Sequence, residues 1–222
     1  MVLRTRQRPY VRKSKRKDIM PEVEEENYPN DIWQAIYNHQ FELMNKYHEV
    51  EVKNGFPDIE TPLLLNDPAD QLKIKEFCWR VTEELAEAQE ALLSELPVTD
   101  DFKNHPHTME ELSDALHFLT EIFTMIGFDH QETFPPGGPE HDKVGSFFLP
   151  TYYLGLAANC LKNKPWKSSH LETDENKFIR HLREARCALI NIFIGFGCSE
   201  DDIWDLYMSK NKINYKRIES NY

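Results

Sequence analysis

The sequence predicts an all-α fold, an antiparallel helical bundle. Three observations carry that prediction. Apolar residues recur at helical spacing in six segments, no stretch shows the two-residue alternation of a strand, and helix start signals stand where the periodic segments begin. The first helix is expected from Asp31, where Asp31-Ile32-Trp33-Gln34 resembles a capping box; it carries Trp33, Ile36, Tyr37, Phe41 and Met44 and ends before Gly55-Phe56-Pro57. The second runs from about 68 to 96, with Asp67-Pro68 as cap and first-turn proline and Ile74, Phe77, Val81, Leu85, Ala88 and Leu92 as its stripe. After Pro97 and a polar stretch, Thr108-x-x-Glu111 reads as the capping box of a third helix that reaches Gly127. Residues 129 to 145, rich in Pro, Gly and His, read as an excursion loop. Further helices are expected at about 146 to 162, 174 to 195 and 200 to 218.

Composition excludes several function classes. Only 8 of 222 residues are glycine, and neither G-x-G-x-x-G nor G-x-x-x-x-G-K-[ST] occurs, so a nucleotide held in a glycine cradle is not expected. The four cysteines are scattered without C-x-x-C spacing and the histidines form no H-E-x-x-H, against a zinc ribbon or a zinc protease. No apolar run has the length of a membrane span and the first residues lack the apolar stretch of a secretory signal, so a soluble, intracellular, cytoplasmic protein is expected, with no membrane partner. The net charge of -12 hides an asymmetry. Residues 1 to 17 hold eight Lys or Arg and no acid, leaving 18 bases against 38 acids and a net charge of -20 for the rest. Residues 1 to 29 are therefore read as a disordered arm, able to make weak non-specific contact with nucleic acid or to serve as a nuclear address, and 30 to 222 as one domain with an insertion at 128 to 175.

Two acidic pentads are near-copies: Glu83-Glu84-Leu85-Ala86-Glu87 on the second helix and Glu110-Glu111-Leu112-Ser113-Asp114 on the third. Residues three apart share a helix face, so Glu84 with Glu87 and Glu111 with Asp114 each form a two-carboxylate claw, and antiparallel packing lets the claws converge. The bland alternative is that acids near a helix start favour its dipole. A helical wheel argues against it for one member of each pair. Glu111 falls inside the apolar face beside Ala115 and Ile122, Asp114 lies at its edge near Met125, and Glu84 borders the stripe of its helix, whereas Glu110, His117 and Glu121 fall on the side expected to be solvated. Clustered carboxylates in an apolar setting neutralise unless a cation is present. A set of oxygens without Cys or His suits Mg²⁺, with Mn²⁺ as the alternative, and Mg²⁺ with few protein ligands commonly also holds substrate phosphates. The chemistry pointed to is hydrolysis of a phosphate ester or anhydride.

These residues resemble the all-α nucleoside triphosphate pyrophosphohydrolases, the group of MazG and the dimeric dUTPases. Glu84-Leu-Ala-Glu87 and Glu111-Leu-Ser-Asp114 are similar to its E-x-x-E and E-x-x-D signatures, and Glu111-Leu-Ser-Asp-Ala-Leu-His117-Phe118 resembles the E-L-x-D-x-x-H-F of the dimeric dUTPase and phage dCTPase/dUTPase branch. Tyr207-x-x-Lys210-Asn211-x-x-Asn214-x-x-Arg217 is similar to that branch's Y-x-x-K-N-x-x-N-x-x-R. The resemblance implies a homodimer that hydrolyses dUTP to dUMP and pyrophosphate. It also implies Mg²⁺ bound by Glu84, Glu87, Glu111 and Asp114, with the water oriented or deprotonated at Glu84. Gln40, in Gln40-Phe41-Glu42-Leu43-Met44-Asn45, stands in the only stretch similar to the branch's uracil-reading L-Q-x-x-L-N.

Read without the family, Tyr207, Lys210, Asn211, Asn214 and Arg217 share one helical face able to bind phosphates and read a base edge, or to serve as a solvated terminal helix. The branch's P-W-K-W-W-K-like stretch between the acidic helices is missing. Pro165-Trp166-Lys167 occurs later instead, where Trp166 and Lys167 are candidates for a phosphate clamp or for an exposed basic loop. A dCTP-cleaving or broader MazG-like hydrolase is the nearest alternative function, and a non-enzymatic helical scaffold with a nucleic-acid-binding arm is the second.

Overall fold

The computed structural model describes residues 28–128 and 143–220. The basic arm, most of the excursion loop and the last two residues lie outside the described residues, so the expectations for them are not tested. Seven helices are present among the described residues and no strand: α1 (Ile32–Lys53), α2 (Pro68–Ser94), α3 (Pro106–Met125), the single turn α4 (Lys143–Ser146), α5 (Phe148–Cys160), α6 (Glu175–Gly195) and α7 (Glu200–Glu219). All six expected helices form, with ends within a few residues of those expected.

Start signals account for most of the helix boundaries. The Asp31 carboxylate accepts from the Trp33 and Gln34 amides, Asp67 does the same for Ala69 and Asp70 ahead of Pro68, and Ser199 with Asp202 forms a reciprocal capping box. At α1 only the Asp31 half of the expected box forms, because the Gln34 amide turns outward to Asn38. α3 corrects the expectation more sharply. It begins at Pro106, so Thr108 already lies inside the helix and Glu111 is not part of a box. The cap comes from the end of α2: Glu95 accepts from the His107 amide (2.8 Å), the Thr108 amide (3.2 Å) and the Thr108 hydroxyl (2.6 Å). Glu111 is thereby left to point elsewhere.

The packing places α3 at the centre. It lies against α2 along its length and also meets α1, α6 and α7, while α5 pairs with α6 and α1 with α7. One continuous apolar core joins Ile36 and Met44 of α1, Ile74, Val81 and Leu85 of α2, Leu112, Leu116 and Leu119 of α3, Phe178 and Phe193 of α6 and Ile203 of α7. A helix with neighbours on several sides keeps solvent only near its N-terminal turns, which overturns the reading of His117 and Glu121 as surface residues. His117 is 4% exposed, and Glu121 is half-buried and lines a pocket between helices. Only Glu110 keeps the exposed position expected of it. The turn from α6 to α7 requires Gly197, which has φ +83° and whose absent Cβ would stand 2.5 Å from the Asp100 carbonyl oxygen.

Because Glu95 supplies the only side-chain cap on the buried central helix, Glu95→Ala should cost about 1–2 kcal/mol. Urea unfolding monitored by circular dichroism checks this, and an unchanged midpoint would remove the cap from the account.

Candidate active site

α2 and α3 run antiparallel, so residues of one helix meet residues of the other in reverse order. Phe77 meets Phe118 edge-on at 6.0 Å between ring centroids, and about two turns further the acidic pentads face each other. One carboxylate oxygen from each of Glu84, Glu111 and Asp114 lies within 4.8 Å of the others. Glu87 stays outside this triad and is exposed, although its charge still acts on Glu84. The claws converge as the wheel suggested, with one member at the margin.

Lys210 from α7 closes the cluster. Its ammonium group, 6% exposed, stands 2.6 Å from Asp114 and 3.0 Å from Glu110. Burial opposes its charge, but the two carboxylates outweigh burial and raise its pKa. At Asp114 the balance is reversed: desolvation wins over Lys210 and the carboxyl is pushed upward. Glu111 is also raised, by desolvation and then by Asp114, against the help of His107 at 3.1 Å. Glu84 is raised to about 7, by desolvation first and then by the charges of Asp114, Glu87 and Glu111. One ammonium therefore does not satisfy the three acids. All three lean toward their neutral forms, the response expected of carboxylates that are partly desolvated and crowded together.

Glu84 and Asp114 form one end of a pocket of about 320 Å³ between α1, α2, α3 and α7. Its walls carry Leu43, Phe77 and Phe118, and three cations, Lys73, Arg80 and Arg217, line it together with Asn214. The Arg80 guanidinium lies 5.6 Å from the Phe118 ring centre and Lys73 lies 5.0 Å from that of Phe77, so both reach over the aromatic wall. Gln40, 1% exposed, is pinned at both ends: its Nε2 donates to Glu121 at 3.0 Å and its Oε1 accepts from the Tyr207 hydroxyl at 2.7 Å. The orientation follows from the network, since a carboxylate beside the amide calls for its nitrogen. Tyr207 itself is fully buried and stacks on His117 at 3.9 Å with 7° between planes. His117 Nδ1 donates to the Ser113 carbonyl at 2.8 Å. Burial pulls the His117 pKa down to about 4, and its Nε2 has no hydrogen-bond partner. Burial also pushes Glu121 up to about 7.

The other sequence candidates divide into two groups. On α7, Asn214 and Arg217 reach the pocket, whereas Tyr207, Lys210 and Asn211 are buried behind its wall, so this face of α7 is turned inward rather than solvated. Asn211 is 2% exposed and its amide nitrogen has no hydrogen-bond partner. Trp166 and Lys167 are not brought to the pocket. They sit on an exposed turn after α5, a turn held by Asn163 to the backbones of Asn66 and Leu171 and to Gln71. Gln71 and Lys75, which touch this segment, occupy the side of α2 opposite Lys73, Phe77, Arg80 and Glu84. Sequence reasoning missed Lys73, Arg80 and Glu121. A signal existed, since Lys73, Phe77, Arg80 and Glu84 follow helical spacing on one face and Glu121 stands two turns beyond Asp114.

An all-helical chain that gathers carboxylates from two antiparallel helices at the mouth of a pocket lined by cations is of the class that hydrolyses nucleoside triphosphates between phosphates. The dUTPase family model matches residues 99–222, more than half of the chain. The chain belongs to the all-α dUTPase family and is a dUTP diphosphatase, converting dUTP to dUMP and pyrophosphate. The matched span holds Glu111, Asp114 and all of α7, while Gln40, Glu84 and Glu87 precede it. No curated protein and no solved structure matches the chain. No helix among the described residues is long and apolar enough to cross a membrane.

The raised acids make stability depend on pH in a stated direction. In the folded chain Glu84 and Glu121 keep protons up to about pH 7, whereas their unfolded values lie near 4.5, so folding binds protons and stability falls as pH rises through that window. His117, lowered from 6.5 to about 4, has the opposite effect, and it acts only below about pH 6.5. Between about pH 6.5 and 7.5 the carboxyls dominate. Without divalent cations the thermal midpoint should fall across that interval, and Mg²⁺ should reverse the fall; a midpoint that rises without the cation would contradict the balance.

Proposed function

We propose that dUTP is cleaved with its triphosphate at the Glu84–Glu111–Asp114 end of the pocket and its base toward Gln40 and Glu121. The convergence of the three raised carboxylates carries this reading. Their donor set is oxygen-only and remains net negative after Lys210 is counted, which fits a hard divalent ion. Glu84, Glu111 and Asp114, with Glu87 at the margin, would hold Mg²⁺, or Mn²⁺ in its place. When bound, the ion supplies charge neutralisation at the phosphates and a lowered pKa for water.

The protein's own groups do the rest. Glu84 stands alone on the α2 side of the cluster and, as the family resemblance suggests, orients the attacking water and accepts its proton. Arg80 and Arg217 draw phosphate oxygens into the pocket, whereas Lys73 stands beside Glu121 at the base end. Lys210, expected to bind phosphate, is instead engaged by Asp114 and Glu110, and it fixes the Asp114 carboxylate. Phe77 and Phe118 exclude water from the reacting groups.

Base choice follows from the pinned amide. Because the Tyr207 hydroxyl holds Gln40 Oε1, the amide offers its second Nε2 proton as a donor, which pairs with the carbonyl of uracil and opposes the amine of cytosine. His117, neutral and protonated on Nδ1, stacks on Tyr207 behind this amide and backs the base end of the pocket. This arrangement favours dUTP over dCTP. The two-chain assembly that the resemblance implies is retained as part of the proposal.

Groups behind metal ligands are already worth about 10- to 100-fold. Glu111→Gln should therefore lower Mg²⁺-dependent pyrophosphate release from dUTP by more than about 100-fold while leaving the cation-free chain as stable as before, or more so. In a nucleotide panel dUTP should be cleaved in preference to dCTP. Full activity in Glu111→Gln would remove the metal reading, and equal cleavage of dCTP would remove the base reading.

A further inference from the structure

Glu121 keeps one carboxyl oxygen that the fold itself does not use. The residue stands on α3 two turns beyond Asp114, half-buried, where the main pocket meets a smaller cleft lined by Met44, Ile59 and Met125. Its Oε2 accepts from Gln40 Nε2 at 3.0 Å, and its Oε1 has no hydrogen bond or ion pair among the described residues. The cations on the neighbouring face of α2 are engaged elsewhere, since Glu76 pairs with Lys73 at 3.6 Å and with Arg80 at 3.1 Å. Burial pushes the acid up to about 7, against the pull of Lys73 and of the Gln40 hydrogen bond. A carboxylate in that setting gains from any N–H donor brought to it.

The hydrogen-bond network fixes what the base end offers. Tyr207 holds Gln40 Oε1, so Gln40 Nε2 gives one proton to Glu121 and keeps the other. A donor and an acceptor therefore stand side by side on the wall of the pocket. Uracil presents the complementary order, the carbonyl at C4 beside the N–H of N3, whereas cytosine presents an amine beside a bare ring nitrogen. Cytosine would set donor on donor and acceptor on acceptor, two mismatches where Gln40 alone supplies one. Thymine shares uracil's edge and meets the pair equally well.

We propose that Glu121 is a specificity-determining residue of the base site, accepting the ring N–H of uracil at Oε1 while Gln40 donates to the neighbouring carbonyl. This role rests on the base placement proposed above and goes beyond it by naming the group that reads the ring nitrogen. It belongs to the charged acid. With Oε2 held by Gln40, a proton on Glu121 would sit on Oε1 and turn the acceptor into a donor, the polarity that suits cytosine. Glu121→Gln imitates that neutral form, because its amide oxygen must face Gln40 and its amide nitrogen must then face the base.

Steady-state kinetics of the full chain with Mg²⁺ near pH 8, above the value of about 7 to which burial raises the acid, test this on dUTP, dCTP, dTTP and the N3-methyl derivative of dUTP, with circular dichroism as the check on folding. The unmodified chain should prefer dUTP to dCTP and reject the N3-methyl derivative, which lacks the N–H. In Glu121→Gln the preference for dUTP over dCTP in kcat/KM should fall by about 10- to 100-fold, the worth of a hydrogen bond to a charged group, while the ratio of dUTP to dTTP stays as it was. Glu121→Ala removes the acceptor and makes room, so its preference for dUTP over the N3-methyl derivative should fall by at least about 10-fold. A loss of turnover shared by all four nucleotides, with their ratios unchanged, would give Glu121 a structural role only and overturn the assignment. Cleavage of the N3-methyl derivative as fast as dUTP by the unmodified chain would overturn it too, whether or not either variant folds. Equal cleavage of dUTP and dCTP by the unmodified chain would instead overturn the base placement beneath it.

Discussion

The antiparallel contact of α2 with α3 is the constraint on which the rest of the molecule depends, because it forces like charges together. Glu84 would separate from Glu111 and Asp114 if the two helices were free, and the three are held within 4.8 Å because Phe77, Val81 and Leu85 of one helix and Leu112, Ala115, Leu116 and Leu119 of the other are buried in the same core. Apolar burial of this extent, about 1.5–3 kcal/mol for each large side chain, exceeds the repulsion of partly solvated carboxylates. The repulsion is instead relieved locally: Lys210 pairs with Asp114, and all three acids shift toward their protonated forms.

The position of α3 makes the pocket possible. With α2 on one side and α1 and α7 on another, one helix can present Asp114, His117, Phe118 and Glu121 to the same pocket, with Glu111 beside Asp114 at its acidic end; in the proposed reading the acids face the phosphates and the rest face the base. The buried chain from Tyr207 through Gln40 to Glu121 links three helices by hydrogen bonds, so the base end is held by the same core that holds the acids. Under the proposed reading, acids carried on helices rather than loops would let a chain with few glycines handle phosphates.

Much of this was legible in the sequence because the informative features are local and periodic. The helical spacing of apolar residues, Asp67-Pro68 and Ser199 located the helices, and the position of Glu111 within an apolar face marked it as more than a capping residue. The errors share one cause. A helical wheel assumes one buried side, whereas α3 is enclosed on several, so the wheel puts His117 and Glu121 in solvent and α7's Tyr207, Lys210 and Asn211 on an open face, binding or merely solvated. Glu95 could not be foreseen as the cap of α3, since its role requires the turn geometry between residues 95 and 106. Lys73 and Arg80 were readable on the same face as Glu84 but gain meaning only once a pocket stands in front of them.

The central claim is that one pocket holds the metal and phosphates at its acidic end and reads uracil at its amide end. The most direct measurement is a crystal structure of the chain with Mg²⁺ and a non-hydrolysable dUTP analogue. The account predicts density for the ion on oxygens of Glu84, Glu111 and Asp114, and the uracil ring within hydrogen-bond distance of Gln40 Nε2. An ion held elsewhere, or a base lying outside the pocket between α1 and α3, would contradict it.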